Sequence, residues 1–119
     1  MVGVKPGIYR HYKGGLYQVI STCNLVKPRQ YYKTNLNKLV LYKSYKNERS
    51  LDIETNQYWL RSMDVFLENI TPIIPRFRFI GSDIAHNTQK NLDVVAFNTE
   101  EEIYYRAFRH MSFWFCYKL

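Results

Sequence analysis

The chemistry-bearing residues begin early. The stretch YRHYKGGLYQVI, residues 9–20, holds Arg10, Lys13, His11, three tyrosines and Gly14-Gly15. Lysine beside a double glycine is one ingredient of a phosphate grip. Such a grip needs glycines that lead into a helix N-terminus, so that amides and dipole converge on the anion. Here the glycines lead into Leu16-Tyr-Gln-Val-Ile20, which reads as a strand. The pair is therefore expected to serve a tight β-hairpin turn, with Arg10 and Lys13 left free to touch a polyanion.

Other candidate chemistry dissolves on inspection. His11 has no serine or cysteine nucleophile in a recognisable setting, and His86 and His110 are scattered. Cys23 and Cys116 match no zinc or redox spacing, and a single possible pair makes no disulfide framework. Glu100-Glu101-Glu102 would fan around a helix and not converge, so they read as helix-start residues. No catalytic centre, metal site or cofactor is expected. The strongest functional stretch is KPRQYYKTNLNK, residues 27–38. There Lys27, Arg29, Lys33 and Lys38 suit phosphates, and Tyr31 and Tyr32 offer ring faces for bases. Stacking of this kind is worth about 1–3 kcal/mol per base. Lys43, Lys46 and Arg49 extend the basic track.

Charge distribution points the same way. Residues 1–50 carry ten Lys/Arg against one acid, a net +9, whereas residues 51–119 carry seven against nine, a net −2. Such asymmetry suggests a polyanionic partner for the first part, RNA above all, with protein subunits of a larger assembly as the alternative. No apolar run approaches a membrane span, and the start of the chain is neither a signal nor a transit peptide. The expected location is the cytoplasm, or an organelle matrix after removal of a targeting segment. Asn69-Ile70-Thr71 fits a glycosylation pattern, which is read as chance.

The elements that must position these residues are mostly strands. The 119 residues suit one small domain, and eleven tyrosines lean towards β-structure. Gly7–Tyr12 and Leu16–Thr22 form the hairpin, Leu39–Tyr45 and Gln57–Arg61 are strands, and Ser62 caps a short turn to Phe66. RFRFI, residues 76–80, alternates, with Phe77 and Phe79 on one face and Arg76 and Arg78 on the other. Leu92–Phe97 reads as a strand. NTEEEIYYRAFRHM then reads as a helix, because Thr99 and Glu102 fit a capping box and Ile103, Ala107 and Met111 share one helical face. SFWFCYKL is a final strand. Trp59 is expected in the barrel core and Trp114 in the C-terminal layer.

GIYRHYKGGLYQVI (7–20), YWLRSMDVFLENI (58–70) and PRFRFIG (75–81) resemble a bacterial family catalogued as domain of unknown function 1653. Gly7, Tyr9–Gly15, Tyr17 and Val19 match its opening motif, and Leu39, Val40 and Tyr42 its middle strand. Trp59, Arg61, Met63, Phe66, Leu67 and Glu68 match its third block, and Pro75, Arg76 and Phe77 its end. The resemblance implies a compact β-barrel and no established activity. Departures are the longer basic stretch VKPRQYYKTNLNK in place of a short acidic connection, Ser62 in place of proline, and residues 82–119 beyond the family pattern. The expectation is thus a mainly β protein. Residues 1–81 form a small Src-homology-3-like or Tudor-like barrel, and residues 82–119 a strand–helix–strand extension packed on it. Its expected function is non-catalytic: binding structured RNA within a ribonucleoprotein, or serving as a protein-interaction module.

Overall fold

The computed structural model describes residues 4–26, 38–45, 57–82 and 91–119. Among these residues ten strands and one helical turn follow in order: β1 (Gly7–His11), β2 (Leu16–Leu25), β3 (Lys38–Ser44), β4 (Tyr58–Ser62), α1 (Met63–Phe66), β5 (Asn69–Thr71), β6 (Ile74–Pro75), β7 (Phe77–Gly81), β8 (Asp93–Asn98), β9 (Ile103–His110) and β10 (Phe113–Lys118). The hairpin β1–β2 turns on Gly14 and Gly15 at φ +99° and +86°. Side chains with a Cβ strain at such angles, which is why a glycine pair stands here. The turn closes through Gly14 N–H to His11 O (2.8 Å) and His11 N–H to Gly15 O (3.1 Å).

β1 to β4 form an antiparallel meander, and β7 returns to pair with β1, giving the order β7-β1-β2-β3-β4. This five-strand arrangement, with α1 between β4 and the returning strand, curls into an open first barrel that no β4–β7 pairing closes. Ser62 caps α1, its hydroxyl accepting from Val65 N–H. The strands curl around a core of Val4, Tyr9, Val19, Val40, Tyr42, Phe66 and Phe77. Phe66 and Phe77 stack with ring centroids 4.2 Å apart.

The other face of β2, β3 and β4 is equally apolar. β8 adds to β4 in parallel, β9 and β10 follow antiparallel, and β10 returns to the C-terminal half of β2 in parallel. The result is a closed barrel of β2, β3, β4, β8, β9 and β10, filled by Cys23, Leu41, Leu60, Ala96, Tyr105, Trp114 and others. One residue makes this sharing possible. The β2–β3 register slips between Val19 and Ser21, so Ile20 is an extra residue that reverses the alternation. Val19 therefore joins the first core and Cys23 the second.

The helix expected after Thr99 is absent; residues Ile103–His110 are strand β9. Asn98, buried, turns the chain by itself: its Oδ1 accepts the N–H groups of Glu100 and Glu101, both at 3.0 Å. Glu102 then adopts φ +58°, which ends the turn before a helix can propagate. Tyr105 and Ala107 are buried while Tyr104 and Arg106 are exposed, a period of two. Helical spacing was an accident of small and aromatic residues that satisfy both patterns. The extension is three strands, and they close the second barrel instead of merely resting on the first. Trp114 is buried in that core as expected, whereas Trp59 lies half-buried at the margin of the first core. No helix among the described residues is long and apolar enough to cross a membrane.

Two outcomes follow from this packing. Cys23 and Cys116 are fully buried free thiols, and burial together with the neighbouring Cys116 pushes the Cys23 thiol well up. Thiol reagents should label neither cysteine faster than the protein unfolds, and rapid native-state labelling would contradict the closed barrel. Asn98→Ala removes the acceptor for two turn amides and should cost about 1 kcal/mol in denaturant unfolding.

Candidate functional site

The cations of the first barrel converge through strand pairing. Alternation along β1 sets Arg10 and Tyr12 on the face opposite to Tyr9 and His11. Across the ladder Arg10 stands directly opposite Arg78. One step on, Tyr12 N–H bonds to Arg76 O at 3.0 Å. The four side chains form a two-by-two block: arginine against arginine, tyrosine against arginine. The Arg76 guanidinium lies 6.0 Å from the Tyr12 ring centroid, and the Lys13 ammonium, carried by the glycine turn, lies 5.7 Å from it. Lys43 occupies the same sheet face on β3, opposite Gln18, with its ammonium over the Tyr58 ring at 5.8 Å.

Like charges directly opposite on paired strands are unfavourable, and among the described residues neither Arg10 nor Arg78 has an acidic partner. Arg76 has one, Glu68, at 3.3 Å, yet its Nε–H is buried without an acceptor. On the extension the balance differs. Arg106 is held by Asp93 and by the Tyr117 hydroxyl, and Lys118 by Glu101 at 3.0 Å. Asp93, Arg106, Tyr117 and Lys118 edge a cleft of about 510 Å³ beside Phe108, where Arg109 donates to the Met111 carbonyl.

His11 sits behind the block, on the core face of β1. Its ring meets those of Tyr12, Tyr17 and Phe77 at 4.6, 6.1 and 4.9 Å. Burial, then the charges of Arg61, Arg76 and Lys13, push its pKa down. The neutral ring accepts the Lys13 N–H at Nδ1 (3.2 Å), which assigns its own proton to Nε2. His11 therefore steadies the turn that presents Lys13. Arg61 donates to the Tyr42 hydroxyl at 3.2 Å and lies 5.9 Å from the Phe77 ring, so its charge is part of the first core's wall.

Of the expected contact residues, Arg10, Lys13 and Lys43 gather here. Lys38 does not. It stands at the opposite end of β3, on the other face from Lys43, edging a cleft of about 380 Å³ with Asp64, Glu100 and Glu101. The cleft leads to Tyr105, whose hydroxyl donates to Glu101 and is pushed up by burial and by that carboxylate. An acidic rim is a poor seat for a phosphate. Lys27, Arg29, Tyr31, Tyr32, Lys33, Lys46 and Arg49 lie outside the described residues. Tyr12, Arg76 and Arg78 were not singled out as contacts by the sequence. The signal was present in the alternation of YRHY and RFRFI, but joining the two required the β1–β7 pairing.

Comparison with curated proteins and with solved structures finds no match to this chain. A family model does match, over residues 7–79, which takes in β1 to most of β7 and hence the whole cationic block. The chain belongs to the family described as protein of unknown function DUF1653.

Proposed function

We propose that this protein is a non-catalytic binder of RNA, structured RNA within a ribonucleoprotein assembly, and that the Arg10–Arg78 face of the first barrel is its contact surface. The observation that carries this reading is the opposition of Arg10 and Arg78 with no acidic partner among the described residues. Two arginines opposite one another on paired strands can be bridged by a chain of phosphates, and Lys13, Lys43 and Arg76 add charge along the same face. The basic stretch at residues 27–38 supports the same class of partner from the sequence side. Two free cysteines fit the cytoplasm or an organelle matrix, both reducing.

A second reading, a protein-interaction module, has its own support. Ile70, Ile73 and Ile74 on the β5–β6 hairpin are all exposed, Ile73 at 87%. Exposed apolar clusters of this kind are characteristic of protein contacts. The aromatic tail SFWFCYKL is a weaker docking element, because Trp114 and Cys116 are buried inside the second barrel.

A salt titration of RNA binding tests the first reading. Affinity should fall linearly on a log–log plot, and the double variant Arg10→Glu/Arg78→Glu should flatten the slope by about 1.5–2, for two lost phosphate contacts. Flattening instead by Lys27/Arg29/Lys33 charge reversal would move the contact to the basic stretch. Undetectable binding at low salt would remove the RNA reading in favour of a protein partner.

A further inference from the structure

On the face that carries Arg10 and Arg78, Tyr12 is the exposed aromatic ring among the described residues, 40% accessible; Tyr58, beneath Lys43, is buried. Tyr12 is also held unusually well for a surface side chain. Its backbone N–H is bonded to Arg76 O, and Arg76 N–H is bonded in turn to Glu68 O at 2.9 Å. The Arg76 side chain is only 19% exposed and is tethered to the Glu68 carboxylate, so it stays beside the ring. The His11 ring packs at 4.6 Å on a tilted plane, and His11 is itself fixed by the Lys13 N–H. A ring locked in this way loses little conformational freedom on meeting a ligand, which favours stacking. Lys13 is exposed and sits on a flexible stem, so it can leave the ring for a phosphate.

We propose that Tyr12 is a stacking platform for one unpaired base, with the flanking phosphates taken by Lys13 on one side and the Arg10–Arg78 pair on the other. This rests on the RNA reading and narrows it. The faces of a paired base are covered by its neighbours in a duplex, so a base can reach Tyr12 only from a loop, a bulge or an end. The protein then takes structured RNA at its single-stranded elements. The pairing of cation and ring also suits it to any base, since every base has a π-face.

The experiment compares two RNA probes by fluorescence anisotropy at fixed low salt: a mixed-sequence single strand of about twelve nucleotides and a blunt duplex of the same sequence. Tyr12→Leu should weaken single-strand binding about ten-fold while leaving duplex binding and the salt slope unchanged. Tyr12→Trp should bind the single strand at least as tightly as the parent. Arg10→Glu/Arg78→Glu should weaken binding to both probes. Thermal unfolding of each variant separates a lost contact from a lost fold. Equal loss on both probes with Tyr12→Leu, no loss on either, or failure of Tyr12→Trp to hold affinity would overturn the stacking role while leaving RNA binding intact. If the parent protein binds neither probe, the RNA reading falls and the Tyr12 platform with it.

Discussion

Strand β3 is apolar on both faces, its neighbours β2 and β4 send residues to both cores, and the fold is organised by the need to cover both. A sheet that buries only one face would alternate apolar with polar residues; here Leu39-Val40-Leu41-Tyr42 are buried in succession. Val40 and Tyr42 face a core closed by β1, α1 and β7, while Leu39 and Leu41 face one closed by β8, β9 and β10. Neither covering layer is optional, because removing either would expose a continuous apolar surface. The extra residue at Ile20 is the hinge of the arrangement. It lets one long strand serve β1 with its first half and β10 with its second while sending side chains to the correct core.

The matched family segment and the strands beyond it divide these duties. Residues 7–79 supply the first core apart from Val4, and they supply Cys23, Leu39, Leu41, Tyr58 and Leu60 to the second. The remainder of the second core, Val94, Ala96, Tyr105, Ala107, Trp114 and Cys116, comes from after residue 82. In this chain the back of the small barrel is therefore dressed by a second barrel. The parallel β4–β8 and β2–β10 pairings close it without an open edge. In the eight-stranded sheet the edge that remains free among the described strands is that of β7, next to the arginines.

Electrostatics follow the same division. On the extension Arg106 is paired with Asp93 and Lys118 with Glu101, while Arg109 donates to the Met111 carbonyl. The acids of the Asn98 turn are spent on local partners, Glu100 accepting from Ser62 and Glu101 from Tyr105. On the first barrel Arg10 and Arg78 oppose one another. Such a pair weakens the ladder slightly, and no acid among the described residues offsets it. His11 behind the block fits this picture: burial first, then the charges of Arg61, Arg76 and Lys13, lower its pKa, and the imidazole serves as a hydrogen-bond acceptor and packing group.

Local chemistry decided the parts of this protein that depend on neighbours in sequence. The Gly14-Gly15 turn, strands at 16–22, 39–45 and 57–61, the Ser62 cap and the family motifs were legible, because φ preference, alternation and capping act within a few residues, whereas the continuation of β2 to Leu25 depends on its pairing with β10. The stretch after Asn98 was misread because Ile103, Ala107 and Met111 fit a helical face as well as Tyr105 and Ala107 fit a strand. The left-handed Glu102 and the waiting edges of β8 and β10 settled it. The basic bias of the first fifty residues was visible, but not which cations would meet. Arg10 and Arg78 are separated by more than half the length of the chain and come together only when β7 returns to β1. Composition determines how much charge a chain carries; pairing across a sheet determines where that charge is left unanswered, since like charges become neighbours only through long-range hydrogen bonding.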